Sequence, residues 1–565
     1  MFANCYNTVM SIRETIETAL GNVLRELGIE AEEGVVLEYP AEMIYGDYAT
    51  GVALKYAKIA KKSPRDLAQE IVSKLGTIDG VAKIEIAGPG FINFTLALST
   101  IAQTLDSARG SQWGRGETLF GTTIMVEYTD PNPFKEFHIG HLMSNAIGES
   151  IARLLESSGA KVIRANYQGD VGPHVAKALY VLLEREITKA TIADISAAYV
   201  EGSKRYEENP EAKAAIDALN KKIYGRSDEQ VNQLYEKGRQ TSLDHFEELY
   251  KLLGTRFDFY FFESETAPKG EAIVRAHIDD GIFEESDGAI VFKGEKYGLH
   301  TRVFITSQGL PTYETKEIGL AQMKSEAISF DRSLTITASE QTDYFRVVTK
   351  AIELTLPELA GKIEHRAHGM MRFAEGKMSS RKGNVVTGES LIEDLTEEAK
   401  KRAAESRADD HEKLAQEIGV AAIKYQILKQ ASGKDIIFDR ERALSLDGDS
   451  GPYLQYAYAR TLSLIGKAKD AGVETKADAN AESPDVPRLI VRFPEVVAYA
   501  ASEMEPHLLT NYLLALAAAF NSWYGRAQIL DGSSAQSHHM AIVEAVSQTL
   551  QKGLTLLAIP TPEKM

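Results

Sequence analysis

Residues 122–166, TTIMVEYTDPNPFKEFHIGHLMSNAIGESIARLLESSGAKVIRAN, decide the fold of this chain. Residues 124–128, IMVEY, have the pattern of a short buried strand, and a turn rich in Asp, Asn and Pro follows it. Residues 139–158 carry apolar side chains at helical spacing, with Gly159 as the stop signal. A second strand pattern occupies residues 161–166. A strand, a loop, a helix and a strand in this order form a βαβ unit, which predicts a parallel sheet.

The patterns on either side of this unit divide the chain into four predicted segments. Residues 1–110 mix helical and strand patterns and form a small α+β domain. Residues 111–390 form the parallel-sheet domain, which a charged helical insertion interrupts at about residues 180–253. Residues 391–450 are a helical connector, and residues 451–565 form an all-helical domain. The predicted fold class is therefore α/β, with a smaller domain on each side of the sheet domain.

The composition limits the class of protein. The 565 residues include 63 basic and 81 acidic side chains, giving a net charge of −18, and 44% of the residues are hydrophobic. These values are typical of folded proteins and exclude wholesale disorder. The negative charge argues against indiscriminate nucleic-acid binding, but it does not exclude a local basic face. The lysine stripe at 55–65 is either such a face, which would contact a nucleic-acid backbone, or an ordinary solvated helix face.

No membrane segment or secretory leader is predicted. The longest apolar run near the C-terminus, residues 513–520, is far short of the roughly 20 residues that span a bilayer. The N-terminus lacks a basic leader before an apolar core, and either Met1 or Met10 fits as the start. The lone Cys5 excludes a disulfide framework and a multi-cysteine zinc cluster. We therefore expect a protein of a reducing, intracellular compartment.

Several common catalytic motifs are absent from the sequence. No Gly-Lys pair is followed by Ser or Thr, as a phosphate-binding loop requires. Gly88-Pro89-Gly90 lacks the third glycine of a dinucleotide fingerprint, and His411-Glu412 lacks the second histidine of a zinc protease. These absences leave nucleotide chemistry to other residues and predict no zinc site.

The tetrad His138-Ile139-Gly140-His141 lies where the first strand's loop enters its helix. A helix N-terminus offers unpaired N–H groups and partial positive charge to an anion. The two histidines add donors for phosphate oxygens, and Gly140 leaves space for a base or ribose. Taken alone, the tetrad is equally compatible with two unrelated surface histidines.

A second motif, GKMSSRKGN at residues 376–384, places three cations in a loop rich in Ser and Gly. Ammonium and hydroxyl groups of this kind suit a leaving polyphosphate, whose charge grows in the transition state. Alone, such a loop is usually solvated surface. Together and in this order, the two motifs are highly specific.

The pair of motifs is the signature of class I aminoacyl-tRNA synthetases, which this chain resembles. The resemblance implies a Rossmann-like catalytic domain that condenses an amino acid with ATP and transfers it to tRNA. It implies that His138 and His141 bind the ATP phosphates, that Gly140 lies under the adenosine, and that Lys377 stabilises the departing pyrophosphate. The implied ATP-binding residues of the second motif are Lys377, Met378, Ser379, Ser380 and Arg381. Many relatives have Lys-Met-Ser-Lys-Ser here, so Ser380 and Arg381 depart from the common pattern.

Within that class the chain most resembles arginyl-tRNA synthetases. Four stretches carry the resemblance: VEYTDPNP at 126–133, YETKEIG at 313–319, EQTDYF at 340–345 and GPYLQYAYAR at 451–460. The implied arginine-binding residues are Glu127, Asn132, Tyr313, Glu317 and Gln341. The family commonly has Asp where this chain has Glu317. A guanidinium has five N–H donors in a planar fork, so several acceptors and a stacking ring suit it. Without the two signature motifs, Glu127 and Glu317 would be ordinary strand-end and helix-surface acids.

The resemblance also gives expectations for the other domains. It implies that residues 1–110 bind the corner of tRNA, with Phe91 and Asn93 meeting a D-loop base, although Phe91 fits a strand core equally well. It implies that residues 451–565 bind the anticodon. His174, after the segment Gly169-Asp170-Val171-Gly172, is expected either to contact the substrate or to support a residue that does.

The sequence therefore predicts an ATP-dependent ligase that charges tRNA(Arg) with L-arginine through an arginyl-adenylate. ATP is the substrate with Mg²⁺, no zinc and no membrane are involved, and we expect a cytoplasmic monomer. The alternatives are a class I ligase for another amino acid, a small adenylyltransferase and a non-catalytic tRNA-binding paralogue. A neutral pocket would mark the ligase for another amino acid, and a shorter chain without the helical domain would mark the adenylyltransferase. Loss of a signature motif would mark the non-catalytic paralogue.

Overall fold

The computed structural model describes residues 11–31, 34–373, 386–481 and 484–565. The second signature motif, at 377–381, lies outside the described residues. The chain divides into two compact units. The first comprises Met1–Trp113, Thr461–Phe493 and Leu516–Thr549, and the second comprises Gly114–Arg460, Pro494–Ala515 and Leu550–Met565.

The N-terminal part of the first unit is an α+β domain. Its elements are α1 (Ile12–Glu26), β1 (Tyr48–Thr50), α2 (Val52–Ala60), α3 (Pro64–Leu75), β2 (Val81–Ala87), β3 (Phe91–Leu96) and α4 (Leu98–Ala108). Helix α1 begins where Ser11 and Glu14 form a capping box, which satisfies two otherwise unpaired backbone N–H groups. The strands form an antiparallel sheet in the order β1-β3-β2. Ile16, Leu20 and Phe94 are fully buried in its core.

The second unit contains the central parallel sheet. Its first half comprises β4 (Thr123–Glu127), α5 (Ile139–Ser157), β5 (Lys161–Gln168), α6 (Pro173–Glu184), α7 (Ile192–Glu208), α8 (Pro210–Gly225), α9 (Glu229–Leu252), β6 (Phe259–Phe262) and α10 (Glu263–Ala276). It continues with β7 (Glu284–Ser286), β8 (Ala289–Phe292), β9 (Arg302–Ile305), α11 (Tyr313–Ala327), β10 (Arg332–Ala338), α12 (Thr342–Thr355), β11 (Ile363–His368) and β12 (Met371–Phe373). After the second signature motif in the sequence come α13 (Gly388–Ala404), α14 (His411–Leu428), β13 (Ile436–Phe438) and α15 (Arg440–Ala443).

Five parallel strands form the central sheet, in the order β11-β10-β4-β5-β6. The parallel sheet that the βαβ pattern predicted is confirmed, with α5 as the crossover between β4 and β5. Helix α5 lies so close to the end of β4 that a Cβ on Gly148 would be 2.3 Å from Cγ of Tyr128. The carboxyl ends of β4, β5, β6 and β10 share one edge, which is where open parallel sheets bind ligands.

The segment predicted as a helical insertion is helical from α6 to α9. The buried Asp170, just after β5, connects this segment to the sheet. Its carboxylate accepts hydrogen bonds from Tyr235 Oη at 3.0 Å and Arg239 Nε at 2.9 Å, both on α9. It also accepts the N–H and the hydroxyl of Ser264 at 2.9 and 2.7 Å, at the start of α10. One carboxylate thus joins three elements.

The C-terminal region is helical, as predicted. Its helices are α16 (Gly451–Asp470), α17 (Val486–Val491), α18 (Phe493–Glu503), α19 (Pro506–Arg526) and α20 (Gln536–Leu556). In the part of the chain that the structure describes, no helix combines the length and apolar character needed to cross a bilayer.

Candidate active site

A strained turn at the carboxyl end of β4 opens the site. Thr129 and Asp130 have φ of 80° and 46°, a conformation uncommon outside glycine and rarest for a β-branched residue such as Thr129. Thr129 N–H donates to Ser144 Oγ at 3.0 Å, and Asn145 Nδ2 donates to Thr129 Oγ1 at 3.0 Å. Tyr167 N–H donates to Asp130 Oδ1 at 2.8 Å. The surrounding elements α5 and β5 therefore hold the strain, as is common at functional sites.

His138 and His141 form a reciprocal cap at the N-terminus of α5. His141 N–H donates to Nδ1 of His138, and His138 N–H donates to Nδ1 of His141, each at 3.3 Å. The two rings stack with 3.4 Å between their centroids. Because each Nδ1 accepts a backbone N–H, each neutral ring carries its proton on Nε2. The cap therefore fixes the tautomer in which Nε2–H is the available donor.

Both histidines are neutral at physiological pH. Desolvation, assisted by the nearby Lys135 ammonium, lowers the pKa of His138 to about 4. Burial, together with His138 and Lys135, lowers the pKa of His141 well below its ordinary value. To an anion, this pair offers directed N–H donors beside the helix N-terminus rather than imidazolium charge.

Gly140 makes room for the histidine stack. A Cβ at this position would lie 3.0 Å from both Cε1 and Nδ1 of the His138 ring. The ring would then have to move away from His141. This requirement adds to the predicted approach of the nucleotide, and both favour glycine.

The chain that follows the second motif returns to the first motif. Gly388 N–H donates to the carbonyl of Phe137 at 2.8 Å, and Thr387 forms an isolated bridge with His138. Thr387 also caps α13 by accepting the N–H of Ser390 at 3.0 Å. The chain at Thr387 and Gly388 therefore lies beside the histidine pair. The roles of Lys377, Met378, Ser379, Ser380 and Arg381 stay predictions from the sequence.

The two predicted acids, Glu127 and Glu317, lie together at the carboxyl edge of the sheet. Glu127 ends β4 and is 1% exposed. Its Oε2 lies 2.6 Å from Nζ of Lys324, a buried residue of α11. Glu317 lies on the same helix, two turns before Lys324 and on the same face. Desolvation and the Glu127 carboxylate raise the pKa of Glu317 to about 8, while Lys324 opposes the rise.

The sequence did not predict a second buried ion pair in this region. Nζ of Lys316 lies 2.6 Å from Oε2 of Glu263, the first residue of α10. Lys316 also lies 4.9 Å from the ring centre of Tyr313, whose side chain is 61% exposed. The available signal was positional, because Glu263 directly follows the apolar strand β6 at the same sheet edge.

Asn132 lies where the loop after β5 passes the site. A Cβ on Gly169 would be 2.2 Å from Oδ1 of Asn132 and 3.2 Å from Oε1 of Glu263. Nε2 of His174 donates to the carbonyl of Gly169 at 2.8 Å. Burial lowers the pKa of His174 to about 3, so this ring is neutral and supports the loop. Of the two expected roles for His174, the hydrogen bond favours support.

With Asn132 in its predicted arginine-binding role, replacing Gly169 with alanine will displace Asn132 and raise the KM for arginine about 10- to 100-fold, because misplacing a positioning group by about 1 Å is costly. The KM for ATP should change little, since the histidine pair lies on another element. Steady-state ATP–pyrophosphate exchange measures both constants. Gly433→Ala is the matched control, because a Cβ there meets nothing within 4 Å. An unchanged KM for arginine in Gly169→Ala would remove Asn132 from the pocket.

The remaining predicted residues lie at other places. Gln341 is exposed in a short turn after β10, the strand beside β4. In the first unit, Phe91 is 39% exposed at the start of β3, whereas Asn93 is only 8% exposed. Phe91 therefore has a surface available for a base, while Asn93 lies largely inside the sheet.

Within the described ranges, no group of three or more His, Cys, Asp or Glu side chains is arranged to hold a metal ion. Two acids of the site, Glu127 and Glu263, are instead paired with the lysines Lys324 and Lys316.

Three family models match the chain in sequence order. The model described as Arginyl tRNA synthetase N terminal domain matches residues 10–96. The model described as tRNA synthetases class I (R), catalytic domain, matches residues 109–440. The model described as DALR anticodon binding domain matches residues 454–565.

Curated relatives and solved structures match over nearly the full length. The arginine–tRNA ligase of Clostridium beijerinckii is 31% identical over 96% of this chain and 97% of its own. That of Limosilactobacillus reuteri is 32% identical, with 98% and 100% covered. The structure of Thermus thermophilus arginyl-tRNA synthetase has a TM-score of 0.80 and 26% identity, with 98% and 100% covered. The Plasmodium falciparum enzyme, at 20% identity and a TM-score of 0.80, shares the fold.

Proposed function

The chain belongs to the class I arginyl-tRNA synthetase family, and from this premise we infer how its own residues carry out the reaction. It is an ATP-dependent ligase that attaches L-arginine to tRNA. One observation carries the residue-level proposal. A neutral histidine pair with directed Nε2–H donors lies at the N-terminus of α5, and an acidic pocket lies at the same edge of the sheet.

In the first step, a carboxylate oxygen of arginine attacks the α-phosphorus of ATP, and the bond to the bridging oxygen of pyrophosphate breaks. His138 and His141 donate Nε2–H groups to the phosphate oxygens, and the N-terminus of α5 adds its partial positive charge. Gly140 leaves room for the adenosine. Lys377, with Met378, Ser379, Ser380 and Arg381, stabilises the departing pyrophosphate. Mg²⁺ enters with ATP as part of the substrate complex.

In the second step, a hydroxyl of the tRNA terminal ribose attacks the carbonyl of arginyl-adenylate, and AMP leaves. No side chain needs to form a covalent intermediate. Positioning of the substrates and stabilisation of charge account for the rate. As in related enzymes, we expect tRNA to be required before arginine is activated.

The pocket residues divide the work of recognising arginine. Glu317 pairs with the guanidinium, and the exposed ring of Tyr313 stacks on it. Asn132 and Gln341, with Glu127 and the residues around it, bind the α-amino and carboxylate groups of arginine. An amino acid with a neutral side chain of similar shape would leave Glu317 without a partner in a desolvated site. This cost opposes the binding of that amino acid.

The proposed partners are tRNA(Arg), L-arginine and ATP, and the proposed setting is the cytoplasm, where tRNA charging supplies translation. The DALR-type domain contacts the anticodon region and the N-terminal domain contacts the tRNA corner, with Phe91 as the exposed aromatic and Asn93 beside it. We propose that the chain works as a monomer.

Charging of unfractionated tRNA tests the proposal, with Mg²⁺–ATP and each of the twenty amino acids offered singly. We expect only arginine to be esterified. Charging with another amino acid would keep the mechanism and overturn the pocket assignment. Binding of tRNA without any charging would identify a non-catalytic paralogue.

A further inference from the structure

Two buried lysines of α11 each neutralise one carboxylate of the pocket. Lys324 pairs with Glu127, and Lys316 pairs with Glu263, with 2.6 Å between charged atoms in both cases. Each of these four side chains is at most 7% exposed. A buried charge without a partner is strongly unfavourable. In each pair the ammonium group cancels the charge of its carboxylate, so that carboxylate adds no net negative charge to the pocket.

Glu317 is the pocket carboxylate that neither lysine neutralises. It lies between Lys316 and Lys324 in sequence, and Lys324 follows it by two helical turns on the same face. Its helix neighbour Glu314 lies 3.3 Å from Nη1 of Arg302. Among the residues that the structure describes, no cation forms an ion pair with Glu317.

The groups that act on Glu317 come from every element around it. They are Glu127 and Asp130 at the end of β4, Tyr167 on β5, Glu263 on α10, Glu314 and Lys324 on α11, and Tyr344 on α12. Burial and the Glu127 carboxylate raise the pKa of Asp130 well above its ordinary value, which favours the neutral form of this acid. Among these groups Lys324 is the one whose charge lowers the pKa of Glu317.

The charges of the pocket therefore sum to the complement of the substrate. Glu314 is compensated by Arg302. Three further carboxylates, Glu127, Glu263 and Glu317, face two ammonium groups. One negative charge remains, and the guanidinium supplies one positive charge. A pocket without Lys324 would hold two uncompensated carboxylates, which would retain a proton rather than ionise together.

We propose that Lys324, and in the same way Lys316, is a specificity-determining positioning residue that neutralises one pocket carboxylate so that Glu317 is the single countercharge for the substrate cation. The inference rests on the proposed arginine pocket. Neither lysine needs to contact arginine; each acts through the carboxylate that it holds.

The sign of the pH effect follows from Glu317. Its pKa is raised to about 8, so below that pH arginine must displace a proton to bind. The KM for arginine should then fall as pH rises toward about 8, roughly tenfold per pH unit well below the pKa. Loss of the Lys324 charge moves this dependence to higher pH.

The test measures the KM for arginine between roughly pH 6 and 9 in tRNA-dependent ATP–pyrophosphate exchange with full-length enzyme. We expect Lys324→Met to shift the midpoint upward by about one pH unit and to raise the KM at neutral pH about tenfold, with the KM for ATP unchanged. Titration of the arginine α-amino group is common to both enzymes and cancels in the comparison. Lys324→Arg keeps the charge and should restore most of the affinity. Lys269→Met removes an exposed lysine of α10 and is the matched control.

A double variant separates charge from packing. Lys324→Met with Glu127→Gln removes both members of the pair, so the midpoint should return toward that of the wild type, even if the single variant folds poorly. A midpoint that stays shifted in the double variant, or that never shifts in Lys324→Met, would overturn the inference. A wild-type enzyme that does not activate arginine at any pH would instead overturn the proposed function. Activation with a KM that does not depend on pH would overturn only the role of the lysines.

Discussion

Replacing His141 with alanine will lower kcat for arginyl-adenylate formation about 10²- to 10³-fold, the usual cost of deleting one preorganised donor to a developing oxyanion. The reason lies in the cap at the start of α5. His141 uses Nδ1 to accept the N–H of His138, which leaves Nε2–H as its free donor. Alanine removes the donor and the cap together. The KM for arginine should change little, because the acids of the pocket lie on other elements.

Asparagine at the same position separates the two effects. In His141→Asn the side-chain oxygen can still accept the N–H of His138, whereas no group reaches the phosphate. We expect kcat to fall as in His141→Ala, while the free energy of unfolding is reduced by about 1 kcal/mol only in the alanine variant. Single-turnover adenylate formation and denaturant unfolding measure the two quantities. A kcat for His141→Asn close to that of wild type would place the imidazole outside the mechanism.

The pH dependence of this step gives a further readout. The pKa of His138 is lowered to about 4, and that of His141 is lowered well below its ordinary value. Both rings therefore stay neutral through roughly pH 6 to 8, and kcat should show no limb from histidine protonation there. A histidine-dependent loss of rate near pH 6.5 in wild type would contradict the fixed tautomers.

The sequence identified the parts of this fold whose signals are local. The strand patterns at residues 124–128 and 161–166, and the glycine at 159, depend only on neighbouring residues, and the βαβ unit follows from them. The position of the histidine tetrad at a helix N-terminus was predictable for the same reason. The use of Nδ1 of both rings in a reciprocal cap required atomic geometry.

The partners of the pocket acids were not predictable from local patterns. From the sequence alone, Glu127 would be taken for an unpaired charge. The structure places its Oε2 2.6 Å from Nζ of Lys324, a residue far along the chain. Glu263 carries no motif, and its role emerges only because β6 ends beside β5 in the sheet. The carboxylate of Asp170 accepts hydrogen bonds from α9 and α10, partners that lie far along the chain. Long-range ion pairs of this kind depend on topology, which side-chain periodicity does not encode.

Replacing Glu317 with glutamine will lower kcat/KM for arginine about 10²- to 10³-fold, equivalent to about 3–4 kcal/mol, because the guanidinium loses its one unneutralised carboxylate in a desolvated pocket. The KM for ATP should stay within about twofold, since the histidine pair is untouched. Glu326→Gln, an exposed acid on the same helix, is the control and should match wild type.

Two further results distinguish charge from size at this position. Glu317→Asp keeps the carboxylate and has the acid common in the family, so it should retain activity within about tenfold of wild type. Glu317→Gln should also abolish the fall of the arginine KM as pH rises toward about 8, because the group responsible for it no longer titrates. If the glutamine variant keeps both the affinity and the pH dependence, another carboxylate must pair with the guanidinium. Glu263 would then be the candidate, and Lys316 would have to leave it when arginine binds, since a single carboxylate held at 2.6 Å by an ammonium has little charge to offer a second cation.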